Sequence, residues 1–222
     1  MNESLKLHKK ANFHLHLTGS LTPRDLRHLS KITEVDLSTY EPLEDHLKFM
    51  DPAIWAAAKE VTSRINGLTE AIKLVLKREA QDNVVYVELT INPAGMIRRG
   101  MTVQKIVSSI SEAICFGITP GITCKIKAGV NRKDGPSSVQ TVKDVFLALD
   151  QKDRVCIDLN GDEKEFPTSA FIEEFSALAF GEIQTSVHAG EHKGFGHSII
   201  DALKMHPARI AHAVAAIEDT AI

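Results

Sequence analysis

Residues 12–23 read NFHLHLTGSLTP. His14 and His16 stand two apart in an apolar run, and residues two apart on a strand point to the same side. Leu17-Thr18-Gly19-Ser20 follows at once, and a glycine there suits a tight turn at the mouth of a strand. Thr22-Pro23 then opens a helix, with threonine as N-cap and proline at the first helical position. The stretch therefore spells strand, turn and helix start. It brings two imidazoles to one side of the strand end, where they offer a metal two nitrogen ligands at fixed spacing. The spacing alone does not separate that reading from two histidines hydrogen-bonded in a polar pocket. Thr18 and Ser20 suit either a ligand contact or a cap, and capping is the stronger role for Ser20 and Thr22.

The same grammar recurs downstream. Short apolar segments at 13–17, 84–91, 122–130, 155–159, 183–187 and 209–214 are rich in valine and isoleucine, as strands are. Several are apolar almost throughout, which is expected of strands covered on both faces. Helical patterns fill the gaps. Residues 54–81 are long enough for two helices, with Asn66-Gly67 as the predicted break. Residues 103–116 carry helical spacing with Gly117 as the predicted stop, and 137–149, 168–180 and 198–205 repeat the theme. Strand–helix alternation predicts an α/β chain with a parallel sheet. The sequence holds neither a GxGxxG after the first strand nor a P-loop, so a nucleotide-binding doubly wound sheet has no support. Polar residues gather instead where strands end, the habit of a (β/α)8 TIM-type barrel. Six βα units are visible, two short of that barrel. No linker, repeat or low-complexity segment divides the chain, so residues 1–222 are expected to form a single domain lacking the last two strands.

Composition narrows the class. The 222 residues carry a formal net charge of −3, with 43% hydrophobic and 25% charged residues. Opposite charges are spread along the whole length, which argues against a nucleic-acid partner. Three cysteines without CxxC spacing argue against a disulfide framework and a thiolate zinc site, and exclude the cysteine-ligated nucleobase deaminase signature. The polar start MNESLKLHKK has no apolar core of a secretory signal, and no apolar run approaches membrane-span length. A soluble, cytoplasmic protein is expected.

Two later blocks add chemistry. In His188-Ala189-Gly190-Glu191 a histidine ends an apolar strand, small residues let the backbone turn, and an acid follows three positions on. His188 suits a third metal ligand and Glu191 a proton exchanger, against the plain reading of Glu191 as a solvated loop acid. His212 lies within the segment 209–214, where a lone histidine is ordinarily a satisfied core residue. Only the other histidines make it a candidate to orient a nucleophile. In Asp158-Leu159-Asn160-Gly161-Asp162-Glu163 the glycine admits close ligand approach, and a structural role is favoured for Asp162 and Glu163. His192 and His197 read as surface histidines.

Together HLHLTGSLTP (14–23), VYVELTINP (85–93), IDLNGDEKEFP (157–167), VHAGE (187–191) and RIAHAV (209–214) resemble the adenosine deaminase family of the metal-dependent amidohydrolases. The motifs occur in the family's order and cover essentially the whole chain. The resemblance implies a (β/α)8 barrel with one divalent metal ion, usually zinc, at the C-terminal mouth. It assigns His14, His16 and His188 as metal ligands and Glu191 as the acid that protonates the purine ring nitrogen. His212 would orient the attacking hydroxide, and Gly161 would contact the purine through its backbone. The implied reaction is hydrolytic deamination of a 6-aminopurine nucleoside or base, releasing ammonia.

The chain departs from the family pattern at several places. Thr18 stands where adenosine-specific members carry an aspartate, which puts recognition of the ribose hydroxyl in question and leaves Thr18 as the candidate substrate contact. Thr90 stands where an arginine is frequent, and Phe13 where a glutamate is common. The metal-ligating aspartate that the family supplies from its eighth strand has no counterpart before Ile222, so the chain is expected to be C-terminally truncated relative to the family. The alternative reading is a catalytically incomplete fragment that binds metal, or pairs with itself or a partner chain through an open barrel edge.

Overall fold

The computed structural model describes residues 7–40, 52–118, 121–149 and 155–218. By internal contacts it resolves into two compact units, Met1–Ile91 with Gly95–Ile126, and Asn92–Ala94 with Lys127–Ile222.

The first unit opens with β1 (Lys10–His16), followed by α1 (Pro23–Thr33), α2 (Pro52–Thr62), α3 (Ile65–Gln81) and β2 (Val84–Ile91). The chain continues through α4 (Pro93–Arg98), α5 (Val103–Ile118) and β3 (Thr123–Asn131). β1 pairs with β2 in parallel, with Leu15 opposite Leu89 and His16 opposite Thr90. The predicted start of α1 is present as a full capping box. The Thr22 amide donates to Asp25 Oδ2 at 2.9 Å, and the Asp25 amide donates to Thr22 Oγ1 at 3.1 Å. Pro23, Leu26 and Leu29 are buried at helical spacing. Arg78 on α3 donates through Nη1 to Asp25 Oδ2 at 2.8 Å and through Nη2 to the Ser20 carbonyl, tying α3 to the turn that follows β1.

Two helix boundaries differ from the sequence reading. The break between α2 and α3 falls at Ser63-Arg64, and Gly67 lies inside the first turn of α3. A Cβ at Gly67 would stand 1.9 Å from the Val61 carbonyl oxygen and 2.7 Å from Thr33 Cγ2. That glycine is there because backbone passes against it, not because the chain turns. Likewise α5 runs through Gly117 to Ile118. Its buried side, Ile106, Ile110, Ala113 and Ile114, lies on one face, and packing overrides one glycine's propensity cost of about 1 kcal/mol.

The second unit contains α6 (Ser138–Leu147), β4 (Val155–Asn160), α7 (Ile172–Phe180), β5 (Thr185–Ala189), α8 (Gly196–Leu203) and β6 (Arg209–His212). Its strands adjoin in sequence order. β4 and β5 pair in parallel with Asp158 opposite Ser186, and β5 and β6 pair in parallel with His188 opposite Ala211. All of β5 is buried. Its Val187, with Ile157 and Leu159 of β4, belongs to the apolar core with Val142, Phe171, Phe175 and Met205. The alternate residues Asp158, Asn160, Ser186 and His188 form a buried polar row on the other side. The segment 209–214 was expected to be strand throughout, yet β6 ends at His212. His212 and Ala213 have φ of 66° and 51°, and two successive left-handed residues do not continue an extended ladder. Among the described residues, no helix is long and apolar enough to cross a membrane.

Candidate functional site

In the first unit, His14 and His16 lie on β1 with ring centroids 5.1 Å apart and Nε2 atoms 3.2 Å apart. Two nitrogens bound at about 2.05 Å to a tetrahedral zinc stand roughly 3.3 Å from each other, so the pair has the separation of two ligands to one ion. The strand end is fixed around them. Ser20 Oγ donates to the His16 carbonyl at 2.7 Å, and the Leu17 amide donates to the Thr90 carbonyl at 3.0 Å. Thr18 opens the half-buried 3-10 turn Thr18–Ser20, while Thr22 caps α1. Phe13, on the opposite side of β1, is 50% exposed and tilts against Tyr86 with ring centroids 5.5 Å apart.

In the second unit, strand alternation carries the remaining candidates. Asp158 is fully buried and accepts from Ser186 Oγ and from Asn160 Nδ2, the latter at 3.2 Å. His188 Nδ1 faces Asp158 Oδ1 at 3.4 Å. A carboxylate behind one ring nitrogen fixes the ring's orientation and turns the other outward, the usual support of a ligating or catalytic histidine. Burial alone would raise the Asp158 pKa, but the His188 ring, the Lys127 ammonium and the Ser186 hydroxyl outweigh it. They hold the carboxyl well below the usual range.

His212 ends β6 beside His188, with ring centroids 5.1 Å apart and ligand-capable nitrogens within 4.8 Å. Its Nε2 stands 3.7 Å from Glu191 Oε2. Burial holds the His212 pKa below the ordinary imidazole value, Glu191 pulls the other way, and His188 adds to the lowering. The ring is therefore biased toward its neutral form, able to accept a proton. Glu191, with its side chain 45% exposed, sits where the chain leaves β5.

That exit is built tightly. Gly190 has φ of 65°, and a Cβ there would lie 2.5 Å from Ile199 Cδ1. Arg132 is buried, donates to the His188 carbonyl at 2.5 Å and to the Phe166 carbonyl at 3.2 Å, and has its pKa lowered to about 10 chiefly by burial. The Glu163 carboxylate, also buried, receives the amides of Gly190 at 2.9 Å, Glu191 at 2.8 Å and His192 at 3.2 Å. Ser198 Oγ donates to it as well, at 2.6 Å. Gly161, expected to face a ligand, has φ of 100°, and a Cβ there would lie 3.0 Å from Asn131 Oδ1 and 3.3 Å from the Arg132 amide. The fold itself therefore needs glycine at that position.

Ser186 and Ser198 were not singled out by sequence reasoning, and Arg132 and Asp158 carried no assigned role in the site. For Asp158 and Ser186 the available signal was polar residues at alternate positions of otherwise apolar strands; Arg132 lies in the turn after β3 and Ser198 on α8. His192 and His197 flank Phe195, with ring centroids 6.1 and 5.3 Å away.

Residues 9–222 match the family model described as adenosine deaminase. The chain is 27% identical to an adenine deaminase of Vibrio parahaemolyticus over 234 residues, covering 100% of this chain and 68% of the relative. It is 28% identical to an adenosine deaminase of Escherichia coli over 230 residues, covering 95% of this chain and 67% of the relative. It therefore spans about two thirds of the length of these relatives. Among solved structures, it superposes on an amidohydrolase of Burkholderia ambifaria with bound zinc at a TM-score of 0.83 and 17% identity, covering 97% of this chain and 61% of the other. That likeness shows the fold, the α/β class of the TIM-type barrel, here with six strands among the described residues.

Proposed function

The chain belongs to the adenosine deaminase family, and on that premise we propose that it carries the site for hydrolytic deamination of an adenine-type purine. What supports this most is the exit of β5, where Glu191 stands 3.7 Å from His212 and His212 adjoins the carboxylate-oriented His188. An acid and a neutral base side by side suit a reaction that must give one proton and take another.

His14, His16 and His188 would hold a divalent ion, zinc on the likeness to the Burkholderia protein. Their chemistry fits it: three imidazoles, two with Nε2 atoms 3.2 Å apart and one backed by Asp158. Such an ion supplies Lewis-acid activation of the attacking water near neutral pH. The chain's own residues do the rest. His212, biased toward neutrality, accepts a hydrogen bond from the water and orients its lone pair toward the amino-bearing carbon. Glu191 donates a proton to the adjacent ring nitrogen, so that charge does not build on the base as the new carbon–oxygen bond forms. The carbon–nitrogen bond then breaks, the amine leaves as ammonia with one proton released from the water, and the second water proton returns to Glu191 as the ring carbonyl forms. Thr18 and the backbone at Gly161 are the candidate contacts that position the purine.

The relatives named for adenine and for adenosine resemble the chain about equally, and Thr18 in place of an acid removes the usual partner of a ribose hydroxyl. We read the substrate as an adenine-type base or nucleoside. Ammonia release from adenine and adenosine, and release of the substituted amine from N6-substituted adenine nucleotides, with the purified chain and added zinc, tests this. Turnover of at least one is expected. Failure on all of them with zinc bound removes the enzymatic reading for this chain.

A further inference from the structure

The turn after β5 is a place where successive backbone amides converge. Gly190, at φ of 65°, lets the amides of residues 190, 191 and 192 point into one concavity, and such a nest attracts an anion. Here the chain fills it with its own carboxylate. Glu163 takes the Gly190 amide on Oε2 and the Glu191 and His192 amides on Oε1. The remaining demand on Oε2 is met by Ser198 Oγ at 2.6 Å. Because Ser198 spends its hydrogen on Glu163, the contact between Thr168 Oγ1 and Ser198 Oγ at 2.5 Å must run from Thr168 to Ser198. The relay Thr168–Ser198–Glu163 thus comes from the start of the 3-10 turn before α7, from α8 and from the loop after β4. The carbonyl side of the same segment is held by Arg132 at His188.

We propose that Glu163 is a positioning residue. Its carboxylate sets the turn 190–192 and, through the backbone, the place from which Glu191 reaches the reacting purine. The proposal rests on the deaminase reading for the last step, while the fixing of the turn does not. Glu163 does not touch the reacting atoms. Its effect passes through three amides, one of which belongs to Glu191 itself.

The test compares the zinc-loaded chain with Glu163→Gln and Ser198→Ala, following amide hydrogen exchange and purine deamination per bound zinc. The Gln side chain keeps the size but offers one acceptor oxygen and two unwanted donors. Loss of a hydrogen bond to a charged acceptor corresponds to about a tenfold change or more. Protection of the Gly190, Glu191 and His192 amides should therefore fall by at least that factor in Glu163→Gln, with β4 and β5 unchanged. A misplaced catalytic group costs about a hundredfold in turnover, so kcat should fall on that order while KM stays within about threefold. Ser198→Ala, which keeps the carboxylate, should show a smaller loss at the same three amides with cooperative unfolding retained. It carries the test if Glu163→Gln does not fold. Unchanged protection at the three amides overturns the proposal, as does an even loss across β4, β5 and α8. So does a fall in KM and kcat together with local protection intact. If the unmodified chain turns over no purine, the deaminase reading fails separately, and amide protection alone decides whether Glu163 sets the turn.

Discussion

Gly190 shows how one residue's shape decides a site. Its φ of 65° and the 2.5 Å approach of a notional Cβ to Ile199 Cδ1 leave no side chain a place. Gly190→Ala is expected to lower stability by about 1–3 kcal/mol through left-handed strain and overpacking together, measured as a shift in the urea midpoint at unchanged slope. Adding Ile199→Ala should return only the packing part. A full return would refute the backbone argument. The small residues of His188-Ala189-Gly190-Glu191 were legible as a turn in the sequence. The partner that forbids a methyl group was not, because Ile199 lies on a helix the chain reaches only after the loop.

Element boundaries were legible where local chemistry decides them. Thr22-Pro23 announces α1, and the structure adds that Asp25 closes the cap and meets Arg78. Burial alone would raise the Asp25 pKa, but hydrogen bonds from Thr22 and the Arg78 guanidinium outweigh it and lower it. A depressed carboxyl stabilises the fold above its unfolded value of 3.8, and that contribution is lost as pH falls through the lower folded value. Acid unfolding of Asp25→Asn should accordingly show a shallower pH dependence in this range than the parent chain; equal slopes would remove Asp25 from the balance. Gly67 was misread because a glycine that permits close approach looks, in sequence, like one that permits a turn. In an ordinary exposed helix, Gly→Ala would stabilise by about 1 kcal/mol. Here a Cβ 1.9 Å from the Val61 carbonyl reverses the sign, and Gly67→Ala should cost more than about 3 kcal/mol in equilibrium denaturation.

At the scale of the molecule, alternation of strand and helix carried the fold class, and the order of motifs carried the family. What stayed hidden was the buried polar row of Asp158, Asn160, Ser186 and His188. Strand register sets which of these face each other, and register is a pairing between segments far apart in the chain. Metal linkage is tested on the same scale. An ion that binds only the folded chain adds about 2.7 kcal/mol at a hundredfold excess over its dissociation constant. Zinc should therefore raise the thermal midpoint of the parent chain, and chelation should reverse the rise. His16→Ala and His188→Ala, made separately, should each lose most of that gain. An undiminished rise in both would move the ion elsewhere.

For ligand chemistry, the occupied nest has a practical meaning. A turn with converging amides is where an inhibitor designer would aim a carboxylate, tetrazole or phosphate, but at residues 190–192 the protein already supplies the anion from Glu163. A negative group directed there would meet like charge instead of donors. Affinity near Glu191 has to be sought with neutral or basic heterocycles.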